Sequence, residues 1–308
     1  MRALVLHETT GPDALKLEED FPAPEAPEGT VAIDVHAAGV GFVDWLVTRG
    51  EYQIRPELPF VPGIEVAGVA DGRRVAATVG FGGFAEVAVA PAFVVFELPD
   101  AMSFSEGAAM VTNYQTAHLA LGRRGRLHAG ETVLVLGAAG GVGLAAIGVA
   151  RALGAGRVIA VVSAETRRAV ATAAGADEVR LLEEDWEHEV RADVVVDPVG
   201  GAVFRRALRC LAPEGRLLVI GFASGEIPQL EVNRLLLRHT DIIGVNYGGM
   251  LAIDQAFPQA AWSDLCRWYE AGLLTPAGIS EHPLAEVPDV LRGLGERRLT
   301  GKPVALVR

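Results

Sequence analysis

The sequence predicts an α/β protein, an irregular β-barrel joined to a doubly wound parallel sheet. Three observations predict it. The first third carries short, partly alternating apolar runs bounded by Gly, Pro or Asp. From Thr132 onward, strand-like and helix-like segments alternate regularly. Where the first strand of that series meets its helix, Thr132 to Gly143 read T-V-L-V-L-G-A-A-G-G-V-G.

In chain order, strands are expected at Arg2–Leu6, Thr30–Ala37, Arg74–Val79 and Phe84–Ala90. One short helix, Phe42–Thr48, is closed by Gly50. A longer helix, Phe104–Leu121, has Ser103 or Ser105 with Glu106 to cap it and bridges to the second half. Then follow strand Thr132–Leu136, helix Gly141–Leu153, strand Arg157–Val162, helix Glu165–Ala174 and a short strand Glu178–Leu181. Strand Asp193–Asp197, helix Ala202–Leu211, strand Arg216–Gly221, helix Val232–His239 and strand Asp241–Asn246 complete the alternation. Helix Pro258–Ala271 leaves it, and the tail holds a strand near Gly278–His282, helix Leu284–Arg297 and strand Pro303–Val307. There is no internal repeat and no low-complexity linker.

At 308 residues the chain is long for one core, so two domains are expected. Half of it is apolar, yet no apolar run approaches the ~20 residues needed to span a bilayer. The first residues, Met1 to His7, lack the apolar core of a secretory leader, and a cytoplasmic enzyme is expected. A net charge of −12 argues against a nucleic-acid footprint. The two cysteines, Cys210 and Cys266, fall in apolar-periodic segments and read as small buried hydrophobes. They cannot build a thiolate zinc site, and the seven histidines are scattered without ligand spacing.

A buried parallel strand feeding a helix through a glycine turn is a dinucleotide-binding arrangement. Glycine lets the backbone approach a pyrophosphate, and the helix N-terminus beyond offers unpaired N–H groups and partial positive charge. A tight turn alone would explain one glycine, but not Gly137, Gly140, Gly141 and Gly143 together. The second strand decides the cofactor. An acidic residue at its tip would bond the adenine ribose of NAD. Val158 to Val162 instead end in Ser163, and Glu165 falls in the next helical turn with Arg167 and Arg168. A hydroxyl and a cation, Ser163 and Arg167, suit a 2′-phosphate, so the expected cofactor is NADPH.

Several blocks together resemble the zinc-independent quinone oxidoreductases of the medium-chain dehydrogenase/reductase superfamily. They are Ala38 to Asp44 with Arg49 to Tyr52, Pro59 to Gly68, Asn113 to Ala117, Gly137 to Gly143, Asp197 to Gly201, Gly221 to Gly225 and Thr300 to Val304. The match runs almost end to end. It implies a GroES-like β-barrel catalytic domain, residues 1–117 with a C-terminal return 272–308, and a Rossmann NADPH-binding domain, residues 118–271. It implies a homodimer joined through edge strands of the nucleotide domains. It implies pyrophosphate contacts at Gly140, Gly141 and Val142, and phosphate contacts at Ser163 and Arg167. Thr116, Phe222, Ala223 and Asn246 are then expected near the nicotinamide.

Zinc-dependent relatives place a cysteine where this chain has Gly41 and a histidine where it has Ile64, so no metal is expected. Many quinone reductases carry Asn at the position of Gly41 and Tyr at that of Leu46; here the pocket is less polar and roomier. Leu181-Leu182 takes the place of a tyrosine that packs on the adenine in relatives.

The chemistry that fits is hydride transfer to an electron-poor acceptor, which needs no Lewis acid. The protein must hold nicotinamide and acceptor together and shelter the oxygen that becomes negative. Tyr52 is the first candidate donor, matching a tyrosine that acts as acid in enoyl-reductase relatives; a structural tyrosine is the alternative. Asn113 is the candidate that orients nicotinamide or substrate, against a plain helix-side contact. Asp44 reads as a cap or fold-stabilising group, and Lys302 as structural. The leading expectation is an NADPH-dependent quinone oxidoreductase. Reduction of α,β-unsaturated ketones or enoyl thioesters is the alternative enzyme, and a non-catalytic NADPH-binding sensor the alternative of another class.

Overall fold

A computed structural model describes all 308 residues. The chain forms two units: Met1–Thr112, Ala256–Cys266 and Ile279–Arg308 make the first, Asn113–Gln255 and Arg267–Gly278 the second.

The first unit begins with an antiparallel pair, β1 (Ala3–Leu6) and β2 (Leu15–Glu18). Next come β3 (Thr30–Gly39), α1 (Phe42–Thr48), β4 (Glu65–Ala70), β5 (Arg73–Thr78), β6 (Val87–Pro91) and β7 (Val95–Glu97). Helix α1 has the bounds expected of it. The Asp44 carboxylate accepts the Gly41 N–H at 2.8 Å, closing its first turn, and Gly50 ends it at φ 67°. Strand β3 is kinked by an irregularity between Val35 and Ala37 and pairs with both β4 and β6. β4 and β7 were not read from the sequence: β4 is buried along most of its length, without the alternation of a half-exposed strand, and β7 is three residues long.

Helix α2 (Phe104–His118) opens with a capping box. The Ser103 hydroxyl accepts the Glu106 N–H at 3.1 Å, and the Glu106 carboxylate accepts the Ser103 N–H at 2.8 Å. It continues as a π-helical turn, Leu119–Arg124. Arg216 steadies that exit by donating to the carbonyls of Gly125 and Arg126 and to both oxygens of Glu131.

The second unit is a parallel sheet with helices. Its elements are β8 (Thr132–Val135), α3 (Gly141–Ala152), β9 (Arg157–Val162), α4 (Arg168–Ala173), β10 (Glu178–Leu181) and α5 (Trp186–Glu189). β11 (Ala192–Asp197), α6 (Gly201–Cys210), β12 (Leu211–Val219), α7 (Asn233–Arg238), β13 (Asp241–Gly244) and α8 (Tyr247–Ile253) follow. The strand order is β10-β9-β8-β11-β12-β13, every pair parallel. That is the doubly wound order of dinucleotide-binding sheets, with its reversal between β8 and β11. Leu134, Leu136, Ile159, Val161 and Val195 join Trp186 and Phe204 in one core layer. Helix α3 is buried from Gly143 to Ala150, which explains why its apolar residues run all round it. Helices α5 and α8 were not foreseen; α5 has only four residues and α8 contains the pair Gly248-Gly249.

Helix α9 (Phe257–Glu270) follows, then β14 (Ile279–Pro283), α10 (Val287–Gly295) and β15 (Lys302–Leu306). β15 lies between β14 and β3, antiparallel to β3 with Val304 opposite Gly39. The tail thus returns to the N-terminal sheet, whose full order is β14-β15-β3-β4-β5-β7 with β6 also on β3. Leu4, Leu6, Ile33, Val66 and Phe84 share its core with Val287, Leu291 and Ala305.

Candidate functional site

In the second unit the glycine turn stands where the strand order reverses, at the carboxyl end of β8. Gly137 sits at φ 57°, a left-handed conformation that side chains resist. A Cβ on Gly143 would lie 2.4 Å from the Gly137 carbonyl oxygen and 2.7 Å from the Cα of Ala138. The helix therefore starts pressed against its own turn. Gly140 precedes it with no side-chain cap, and the first helical bond runs from the Leu144 N–H to the Gly140 carbonyl at 2.9 Å. The N–H groups of Gly141, Val142 and Gly143 have no acceptor within the helix. A 12-residue helix whose first donors carry no side-chain cap fits a pyrophosphate. Gly137, Gly140, Gly141, Val142 and Gly143 are thus brought to one place, and Asn113 joins them: its side-chain nitrogen lies 2.4 Å from the Cβ position of Gly141.

At the end of β9, Ser163 is exposed and a 3-10 turn, Glu165–Arg167, leads into α4. The arginine pair is divided in its roles. Arg168 is ion-paired with Glu165 at 2.8 Å and Glu184 at 3.0 Å, and donates to the Val179 carbonyl. That pairing also engages Glu165, two residues beyond Ser163. Arg167 lies half-buried in the turn after Ser163.

The loops after β11 and β12 are stitched together. The Ala223 N–H donates to the Pro198 carbonyl at 3.1 Å and the Ser224 N–H to that of Val199 at 2.9 Å. The Asp197 carboxylate accepts the N–H groups of Val199 and Gly200 at 2.8 and 2.9 Å through one oxygen. Its other oxygen is buried without a partner, and burial raises its pKa. Phe222 is partly exposed on this loop. Asn246 accepts the Gly249 N–H at 2.9 Å and so caps α8, a role not read from the sequence. Asn113 and Thr116 are one turn apart on α2 and share a face. Between them in sequence, Gln115 accepts a hydrogen bond from the buried Tyr247 hydroxyl at 3.1 Å.

Tyr52 belongs to the first unit. It is half-buried, its hydroxyl has no partner in the chain, and burial, then the nearby Asp44 charge, raises its pKa. It therefore carries its proton at neutral pH. It lines a recess of about 410 Å³ with Val47, Ile54, Leu58 and Phe60.

Close to Tyr52 lies a buried charge cluster whose members, Asp44, Glu65 and Lys302, are far apart in the sequence. Lys302 donates to Glu65, their side chains only 6% and 1% exposed. The other Glu65 oxygen accepts the Thr112 N–H at 2.9 Å. Asp44 accepts the N–H groups of Gly41 at 2.8 Å and Gly63 at 3.2 Å. Burial pushes the Asp44 carboxyl up to about 7, against the opposing pull of the Lys302 ammonium. Glu65 and Lys302 are 237 positions apart, and only the return of β15 joins them. The Lys302 Nζ stands 3.4 Å from the Cβ position of Gly41. With glycine and isoleucine at positions 41 and 64 and an ammonium beside the first, the residues present do not fit a bound zinc ion.

Comparison with known proteins places these features in context. Residues 27–100 match a family model described as the alcohol dehydrogenase GroES-like domain, and residues 141–266 one described as zinc-binding dehydrogenase. Rat quinone oxidoreductase-like protein 2 is 35% identical, over 98% of this chain and 91% of that protein. Human quinone oxidoreductase is 33% identical, over 100% of this chain and 98% of its own. The structure of the quinone oxidoreductase from Thermus thermophilus, solved also in complex with NADPH, superposes with a TM-score of 0.88 at 38% identity, over 99% of this chain and all of that one.

Proposed function

We infer the activity from one premise: the chain belongs to the quinone oxidoreductase family of the medium-chain dehydrogenase/reductase superfamily. The function is NADPH-dependent reduction of a quinone to its hydroquinone, by one hydride and one proton, without metal. One observation carries this reading. The chain builds a pyrophosphate-competent turn at the sheet reversal, yet sets an ammonium beside position 41.

NADPH, when bound, supplies the hydride. The chain's own residues bind, orient and protonate. The N–H groups of Gly141, Val142 and Gly143 hold the pyrophosphate, with Gly137 and Gly140 clearing its approach. The Ser163 hydroxyl and Arg167 guanidinium take the 2′-phosphate. Thr116, Phe222, Ala223 and Asn246 wall the nicotinamide end, and Asn113, lying beside Gly141, orients it. Tyr52 donates its proton to the acceptor oxygen that becomes negative. Catalysis falls to the first unit and nucleotide binding to the second; their bounds differ from the expected 1–117 with 272–308 and 118–271 in that the start of α9 joins the first unit, Gln259 and Trp262 donating to the carbonyls of Val95 and Glu97. The enzyme is a cytoplasmic homodimer; Cys210 and Cys266 form no disulfide, which suits a reduced compartment. No helix is long and apolar enough to cross a membrane.

A second acceptor class, α,β-unsaturated ketones and enoyl thioesters, is favoured by the same unpartnered, protonated Tyr52, because a reduced alkene must take up a proton. Stopped-flow oxidation of bound NADPH against quinones and enones separates the readings. Rapid oxidation by quinones, slowed in Tyr52→Phe, supports the first. Oxidation by enones alone, lost in Tyr52→Phe, supports the second. Tight NADPH binding with no turnover supports a sensor, and activity that requires added zinc overturns the reading.

A further inference from the structure

The recess beside Tyr52 has an unusual charge balance. One side of its lining is apolar, formed by Val47, Ile54, Leu58 and Phe60, of which Ile54 and Leu58 are 61% and 44% exposed. No carboxylate lines it, although the whole chain carries a net charge of −12. Two arginines do, Arg49 and Arg55. Arg49 is engaged: it binds Glu51 at 2.7 Å and lies over the Trp45 ring, 4.9 Å from its centroid. Arg55 makes no ion pair and no hydrogen bond within the chain. The recess therefore presents one uncompensated guanidinium, an apolar wall and one phenol that donates.

We propose that Arg55 is a specificity-determining residue that selects acceptors carrying an anionic group on an apolar body. The proposal rests on the acceptor-reduction reading above. A cavity of about 410 Å³ suits a small ring system with a short tail. The planar guanidinium matches a carboxylate, sulfonate or phosphate through two parallel N–H bonds. An acidic protein repels anions at long range, so an anionic acceptor needs a local cation of this kind. Glu51 does not cancel it, being held by Arg49, and Glu57, two positions on, is not part of the lining.

The test compares two naphthoquinones with the same ring, one ending in a carboxyalkyl tail and the other in its methyl ester. The readout is the acid-to-ester ratio of kcat/KM in the full chain and in Arg55→Gln and Arg55→Glu. The wild-type ratio is expected above one and to fall as salt is raised. It should drop about tenfold in Arg55→Gln and further in Arg55→Glu, through KM and not kcat. Arg49→Gln should lower it less. NADPH titration of each variant reports whether it is folded. Turnover of both compounds with the same ratio in all proteins overturns the role of Arg55 and leaves quinone reduction standing. If neither compound turns over, the acceptor-reduction reading fails instead. Tryptophan quenching by the acid and the ester then still reads Arg55 directly: a tighter acid, weakened in Arg55→Gln, supports it, and equal binding overturns it.

Discussion

The side-chain nitrogen of Asn113 occupies the space a Cβ on Gly141 would need, 2.4 Å from it. The neighbour that excludes a side chain at Gly141 is thus a rotatable amide. At Gly143 it is backbone, the Gly137 carbonyl and the Ala138 Cα. Two glycines of one motif are held to glycine by obstacles of very different stiffness.

Gly141→Ala should therefore cost less than about 1 kcal/mol in urea unfolding, because the Asn113 amide swings aside. Gly143→Ala should cost about 2–3 kcal/mol, since neither obstacle yields without moving β8 or α3. The loss of NADPH affinity in Gly141→Ala should shrink in an Asn113→Ala background, as a double-mutant cycle by fluorescence titration reads.

Lys302→Met leaves Glu65 buried with only the Thr112 N–H to hold its charge. The expected destabilisation is about 3–5 kcal/mol. Lys302→Met with Glu65→Gln should lose clearly less than the two single losses summed, because the stranded carboxylate has gone. Denaturant midpoints of the four proteins decide it.

Asp44 adds a pH dependence of known sign. Its folded pKa, about 7, lies above the ordinary 3.8, so between those values the native state keeps a proton that the unfolded chain has released. Its contribution to stability is present in full below about pH 4 and is lost as pH rises toward about 7. Asp44→Asn should flatten the fall in stability across that window, by on the order of 4 kcal/mol between its ends. Urea midpoints at several pH values, compared as slopes, separate this from the hydrogen bond that Asn cannot replace.

Arg167→Glu should lower the NADPH-to-NADH affinity ratio at least tenfold, an effect on the order of that of one charge-assisted hydrogen bond. Arg168→Gln should instead lower thermal stability, because Arg168 ties α4 to Glu184 and the Val179 carbonyl. An unchanged ratio in Arg167→Glu would remove Arg167 from the phosphate site.

Strand β13 is paired on one side only, and the segment leading into it exposes Val232, Leu236 and Leu237 at 73–75%. Such a patch beside a bare strand edge needs a cover. Leu236→Asp with Leu237→Asp should convert a dimer to monomer in sedimentation. A wild-type chain that sediments as a monomer at micromolar concentration would sink the homodimer.

The second unit was legible because β8, β9 and β11 are buried on both faces and read as apolar runs rich in Val, Leu and Ile. β9 and β10 have the bounds expected of them. The glycine turn was legible because a left-handed Gly137 and a pressed Gly143 leave a mark in composition. Edges were less so: α2 passes into a π-turn whose exit is secured by Arg216, nearly a hundred positions on. The charge cluster left no local mark. Asp44, Glu65 and Lys302 obey no shared period, and a lysine in the run Gly301-Lys302-Pro303 gives no sign of being buried. Asn246 illustrates the same limit, since its capping bond depends on a helix that a Gly-Gly pair disguised.

The place of β15 has a consequence for synthesis. Every strand of the second unit lies within residues 132–244, so its sheet can close while the ribosome is still at work. The first unit holds its earlier strands with the Ala37–Gly39 end of β3 open on one flank until residues 302–306 emerge. During that interval Glu65 has no Lys302, and a short length of bare strand edge stands open to other nascent chains.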